Sequence, residues 1–190
     1  MTEFVSGGRR RIDRVLEPGF LQGLGDLDVE EVRARRAEAD QEEVDLSYAR
    51  RLLQGRLDIL RAEQAARHGG DGTPGTYQPR SDAEIVGALT LILADDRRED
   101  HGLGRHMGSA EPSRVGEHRR EAERAVADIG GSDLAALSDG DLELALARLA
   151  DIEGRVSRTR RDVQDVVDSL TEEIARRYQA GEIQVAGAEV

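Results

Sequence analysis

The sequence has no cysteine, no tryptophan and no lysine. Without cysteine, disulfides and thiolate metal sites are excluded. The aromatic set is two phenylalanines and three tyrosines, too thin for a stacking platform that holds single-stranded nucleic acid. The longest apolar run, "IVGALTLILA" at 85–94, falls short of the roughly 20 residues that cross a bilayer. The opening "MTEFVSGGRRRIDR" leads into no apolar signal-peptide core. A cytoplasmic protein with no membrane partner is the expectation. Net basic charge is missing too. The formal charge of −12 argues against direct DNA binding, which wants a basic face. An acidic chain suits a basic partner instead, and DNA-binding proteins are the common ones in a cell.

What is present is a chain of 190 residues, 35% charged and 38% hydrophobic, rich in Ala, Leu, Arg and Glu. That is the composition of long helices with narrow apolar seams. Residues 1–27 read as an irregular N-terminal arm, broken by Gly7, Gly8, Pro18, Gly19, Gly23 and Gly25. Asp28 with Glu31 three residues on is a capping box. It opens a first long helix over 28–68, about 60 Å at 1.5 Å per residue. Residues 69–138 read as a linker with short helices, one from Ser81 to about Ala94 and one at about 114–128, separated by a loop at 99–112. Ser138 with Asp141 caps a second long helix over 139–178, and 179–190 form a flexible tail. The fold class predicted is all-α: a long antiparallel coiled-coil hairpin with shorter accessory helices in the connection.

Each long helix carries one polar set. "EVDLSYARRLLQGRLD" supplies Glu43, Ser47, Arg50, Gln54 and Asp58, and "EGRVSRTRRDVQDVVD" supplies Glu153, Ser157, Arg160, Gln164 and Asp168. Residue types and spacings match at an offset of 110 residues, and Arg51 with Arg161 extends the match. At 100° per residue the five side chains of a set fall within roughly 80°, a stripe about 22 Å long. Leu46, Leu53, Leu57 and Leu60 lie beside the first stripe as an apolar seam, with Val156, Val163, Val167 and Leu170 in the equivalent places.

A charged stripe beside a seam is ordinarily the solvated flank of a coiled coil, and internal duplication alone would copy it. Yet a solvated flank has no reason to keep Ser and Gln in place. Two stripes on antiparallel helices are related by an approximate two-fold axis, with Glu43 toward the Asp168 end and Asp58 toward the Glu153 end. Their ligand should share that symmetry or come as a symmetric pair. Arginine forks onto the O6 and N7 of guanine; a carboxylate accepts from guanine N1–H and the exocyclic amine. Glutamine both donates and accepts, and serine allows close approach. A symmetric, doubly guanylated anion meets these demands, and cyclic di-GMP is the obvious one.

The pattern E-x3-S-x2-R-x3-Q-x3-D, present twice on long helices, resembles the signature of the RsiG family of actinobacterial anti-sigma factors, also labelled aerial mycelium formation proteins. "RRRIDRVLEPGFLQGLGDL" at 9–27 and "LSYARRLLQGRLDILRAE" at 46–63 are similar to that family as well. The resemblance implies an antiparallel coiled coil that binds a dimer of cyclic di-GMP. The loaded form would sequester a WhiG-type, flagellar-class sigma factor that drives spore formation. It also implies that Arg50, Gln54, Asp58, Arg160, Gln164 and Asp168 contact ligand. Glu43, Ser47, Glu153 and Ser157 would contact it or hold the arginines.

Other features carry less. His101 and His106 in a Gly-rich loop, with His68 and His118 scattered, make a poor metal site, because metal ligands need an oriented second shell. Carboxylates on exposed helical faces do not suggest acid–base catalysis, so no enzyme is expected. The Arg9–Arg11 run could touch nucleic acid, but the net charge favours a flexible contact with an acidic partner or simple solubility. "GGDGTPG" lacks the flanking elements of a phosphate loop. The alternative to a nucleotide-dependent regulator is an adaptor coiled coil whose repeat records duplication alone. Because one chain holds both half-sites, a monomer, or a 1:1 complex with the sigma factor, is expected.

Overall fold

The computed structural model describes residues 4–68, 112–113, 116–128 and 134–182, and these are all helix and connecting turn. The elements are α1 (Arg11–Val15), 3-10 turns at Pro18–Leu21 and Leu24–Asp26, α2 (Val29–His68), α3 (Glu117–Asp128), a 3-10 turn at Leu134–Ala136, and α4 (Asp139–Gln179). The expected helix from Ser81, the apolar run at 85–94, and His101 and His106 lie outside the described residues. No described helix is long and apolar enough to cross a membrane.

The long helices start where their caps predict. Glu31 N–H donates to Asp28 Oδ1 at 2.7 Å while Asp28 N–H donates to Glu31 Oε2 at 3.3 Å, a reciprocal box. At α4, Asp141 N–H donates to Ser138 Oγ at 3.2 Å. The two helices run antiparallel. Arg33 near the start of α2 donates to the Tyr178 hydroxyl near the end of α4 at 2.7 Å, and Arg67 at the end of α2 donates to Asp139 at 2.9 Å. Between them Leu46, Leu53, Leu57 and Leu60 meet Leu142, Leu149, Val156, Val163 and Leu170, all at most 2% exposed. Val167, expected in the seam, is only half-buried, and its neighbour Val166 enters the core instead. A straight helix drifts against a fixed seam, so the inward position steps by one residue along its length.

Each end of the hairpin is closed by the same device. Arg67 pairs with Glu63 one turn back and donates Nη1 to the carbonyl of Leu137 and Nη2 to that of Leu134, both at 2.8 Å. Arg177 pairs with Glu173 and donates Nη1 to the carbonyl of Leu27 at 2.8 Å and Nη2 to that of Leu24. A helix end thus binds the carbonyls of the turn that opens the opposite helix, where those of Leu24 and Leu134 also accept from the Leu27 and Leu137 N–H groups. Arg67 and Arg177, Glu63 and Glu173, Leu24 and Leu134, and Leu27 and Leu137 all stand 110 residues apart. The duplication therefore reaches from turn to clasp, well beyond the stripe and seam. Arg67→Ala and Arg177→Ala should each cost roughly 2 kcal/mol, from lost charge-assisted hydrogen bonds and a lost ion pair. Because the clasps sit at opposite ends, the double variant should lose the sum in chemical denaturation.

The arm is not irregular throughout. Its glycines do break it, and Gly23 adopts a left-handed φ of 66° between the two 3-10 turns. Yet Ile12 and Val15 are buried, and Leu16, Phe20, Leu21, Leu24 and Leu27 pack on the hairpin core. Arg35 of α2 stacks its guanidinium over the Phe20 ring, 5.6 Å from the centroid. The helix signal in the arm was missed because α1 has only five residues, too few to show a period.

Asp13 holds the start of the arm, accepting from the Val5 and Arg10 N–H groups and from the Arg10 guanidinium. The Arg10 hydrogen bond and these amides hold its carboxyl down at about 2, against an ordinary value of 3.8. A depressed carboxyl stabilises the fold fully above its ordinary value and loses that contribution as pH falls through the lowered one. Arm amides should therefore lose hydrogen-exchange protection between about pH 4 and about pH 2, whereas Asp13→Asn should already show the weakened protection at neutral pH.

Candidate functional site

The α2–α4 seam leaves one face on which both polar stripes lie. All ten motif residues are half-buried, as expected of positions flanking a two-helix seam. Across the groove, Arg160 Nη1 donates to Glu43 Oε1 at 2.9 Å and Gln164 Nε2 donates to the same oxygen at 3.3 Å. In mirror image, Gln54 Nε2 donates to Glu153 Oε1 at 3.1 Å, and Arg50 Nε lies 3.4 Å from that oxygen. Arg50 Nε also donates to Ser157 Oγ at 3.1 Å. Within each helix the serine donates to its own glutamate, Ser47 to Glu43 at 2.9 Å and Ser157 to Glu153 at 2.7 Å.

Eight of the ten residues thus form two equivalent clusters related by the two-fold. Asp58 and Asp168 lie one turn further out on their stripes, and Asp58 is engaged by Arg61 on its own helix at 3.1 Å. Arg51 and Arg161 are exposed beside the stripe. Each arginine reaches across the helix pair to the glutamate of the opposite stripe. Such an arrangement offers cations, amides and carboxylates from two walls to an object lying between them, with a symmetry that object would share.

A second polar cluster, on the far side of α2 from the stripe, was not legible beforehand. Glu42 and Asp45 are 1% and 4% exposed, and His118 of α3 is 5% exposed. Arg11 of α1 donates Nε to Glu42 at 2.6 Å and reaches Asp45 with Nη2. His118 Nε2 bonds Glu42 Oε1, and Asp45 accepts from the Ser113 N–H at 2.6 Å. Burial pushes the Glu42 carboxyl up, but His118 and Arg11 outweigh it and its pKa is lowered. Arg10 and Arg11 are therefore engaged by carboxylates of their own chain rather than left for an acidic partner, and His118 is a core histidine. The signal that could have found the cluster is "QEEVD", which puts Glu42 and Asp45 within reach of the seam at heptad-like positions.

This geometry and the sequence agree with the comparison to known families. The RsiG-like family model matches residues 18–89 and 128–189, two segments whose starts are again 110 apart and which include both motifs. No curated protein matches the chain significantly. The matched segments cover more than half of the chain, from the turn before each long helix through the end of that helix, and the chain belongs to the RsiG-like family of anti-sigma factors, whose partner is a sigma factor.

Proposed function

We propose that the facing stripes hold two molecules of cyclic di-GMP and that the loaded hairpin sequesters a WhiG-type sigma factor, restraining sporulation genes in the cytoplasm without catalysis. The observation that carries this is the mirrored pairing: each motif's Arg and Gln reach the other motif's Glu across one groove. A two-fold site with paired guanidinium groups, amides and carboxylates complements a two-fold guanine nucleotide pair. Arg50 and Arg160 fork onto guanine or phosphate oxygens, Asp58 and Asp168 accept from guanine N–H groups, and Gln54 and Gln164 bridge. Ser47 and Ser157 leave space and orient the glutamates.

The ligand favours the sigma complex only through better binding to the sigma-competent hairpin. Here a guest between α2 and α4 stabilises one spacing and register of the two helices. The acidic balance of the chain suits a partner whose promoter-reading surfaces are basic.

Calorimetric titration with cyclic di-GMP, alone and with a WhiG-type sigma factor, tests the reading. About two ligands per chain should bind, GMP should fail to compete, and ligand should tighten the sigma complex. Flat heats in both titrations would leave the adaptor reading in its place.

A further inference from the structure

The two glutamates of the stripe are held in an unusual way. Glu43 Oε1 alone accepts from Ser47 Oγ, Arg160 Nη1 and Gln164 Nε2. Glu153 Oε1 accepts from Ser157 Oγ and Gln54 Nε2 and lies 3.4 Å from Arg50 Nε. One oxygen on each side thus gathers a hydroxyl from its own helix and an amide and a guanidinium from the other. Each donor belongs to the motifs. Among the described residues nothing outside the stripe donates to either carboxylate.

That donor set is a cradle for any anionic acceptor oxygen, and the carboxylate in it is an imperfect occupant. Arg160 meets Glu43 with a single Nη, and its Nε is buried without a hydrogen-bond partner. A guanidinium facing a well-matched anion uses two parallel N–H groups. Both glutamate side chains keep about a fifth of their surface in solvent, 23% for Glu43 and 19% for Glu153, so each has a path out of the cradle.

We infer that Glu43 and Glu153 are built-in competitors of the nucleotide, each occupying the Ser–Arg–Gln cradle that a ligand oxygen takes on binding. The inference rests on the nucleotide reading of the stripe and adds what the empty stripe does. Loading is an exchange: each carboxylate swings to solvent as a ligand oxygen replaces it. The empty site is thereby kept closed and neutralised, and the threshold concentration for loading is raised. A carboxylate that stays in place would repel the incoming phosphodiesters; one that leaves gives them the guanidinium.

The test is calorimetric titration of cyclic di-GMP into wild type and Glu43→Gln/Glu153→Gln. Glutamine keeps the shape and one acceptor oxygen but no charge, so the variant should bind about tenfold more tightly or better, the equivalent of one charge-assisted hydrogen bond. The single variants should each show part of the gain, which keeps the test alive if the double variant folds poorly. Inorganic phosphate at fixed ionic strength identifies the incoming oxygen. Titrated without nucleotide, phosphate should bind the double variant at lower concentration than wild type if the cradle takes phosphate, and should bind the two proteins alike if it takes guanine O6. Wild type that binds while the glutamine variants bind equally or more weakly overturns the inference and leaves the nucleotide reading intact. No uptake by any of the proteins overturns both.

Discussion

Arg50→Ala/Arg160→Ala should lose cyclic di-GMP binding by a hundredfold or more, with the hairpin still folded. The size follows from the chemistry. Each arginine contributes a charge-assisted contact worth about 1.5–3 kcal/mol, and two of them amount to about 3–6 kcal/mol, or two to four powers of ten in affinity. The fold should survive because alanine is the best helix former and neither arginine sits in the seam. Each side chain is partly exposed, 32% for Arg50 and 21% for Arg160. The substitution does leave Glu43 and Glu153 without their cross-helix cations, but with solvent within reach the cost to stability should stay near 1 kcal/mol. Calorimetry for the ligand and a thermal melt for the fold separate these effects. A variant that still binds at wild-type affinity would mean that the mirrored stripes are not the site. The single substitutions should be nearly equivalent to each other, because the two-fold places Arg50 and Arg160 in matching surroundings.

The second large effect lies away from the groove. Arg11→Met should destabilise the protein by about 3 kcal/mol or more, because it strips the main cation from two buried carboxylates, Glu42 and Asp45. His118 would remain beside Glu42, but Asp45 would keep only the Ser113 amide and Gln41. Adding Glu42→Leu to Arg11→Met should recover much of the loss, since a buried ion pair replaced by packed apolar groups is often close to neutral. The measurement is denaturant unfolding of the wild type, both singles and the double. Little loss in Arg11→Met would show that water or His118 already compensates Glu42. Hydrogen exchange should localise the damage, because Arg11, Glu42 and His118 come from α1, α2 and α3. Removing Arg11 should release the arm, while α3, still held through His118 on Glu42, and the α2–α4 seam stay protected.

The lowered Glu42 pKa gives the same cluster an acid limit. A carboxyl held below its ordinary value stabilises the protein above that value and ceases to do so as pH falls through the lowered one. Arm and α3 should therefore come away together in acid, ahead of the hairpin.

The two-fold governs the groove and is abandoned beside it. The positions 110 residues after Glu42 and Asp45 are Ile152 and Arg155, so the buried ionic cluster exists only on α2. The polar stripes and the clasps kept their symmetry; the anchoring of the arm and α3 did not. The symmetric guest proposed for the stripes would constrain both of them equally, whereas a single arm needs one anchor. The clasps belong with the stripe, since they set the register that brings Arg50 opposite Glu153 rather than one turn away.

Local signals in the sequence were enough for the two long helices, their caps, the repeated stripe and the seam up to Val163, beyond which the inward position passes from Val167 to Val166. These depend on period, on side chains within four residues and on spacing, all of which are written along the chain. Antiparallel geometry put Glu43 toward the Asp168 end and Asp58 toward the Glu153 end, but the register itself was set by the fold, which brings Glu43 opposite Arg160 and Gln164 and leaves Asp58 and Asp168 one turn beyond. Tertiary structure alone decided the rest. Arg67 and Arg177 look like ordinary charges near helix ends until the hairpin folds back and presents four carbonyls to them. Glu42, Asp45 and Arg11 look solvated until α1 and α3 cover them. Such contacts join residues tens of positions apart, and no local pattern announces which charge will be buried, because burial depends on what another segment brings to that face.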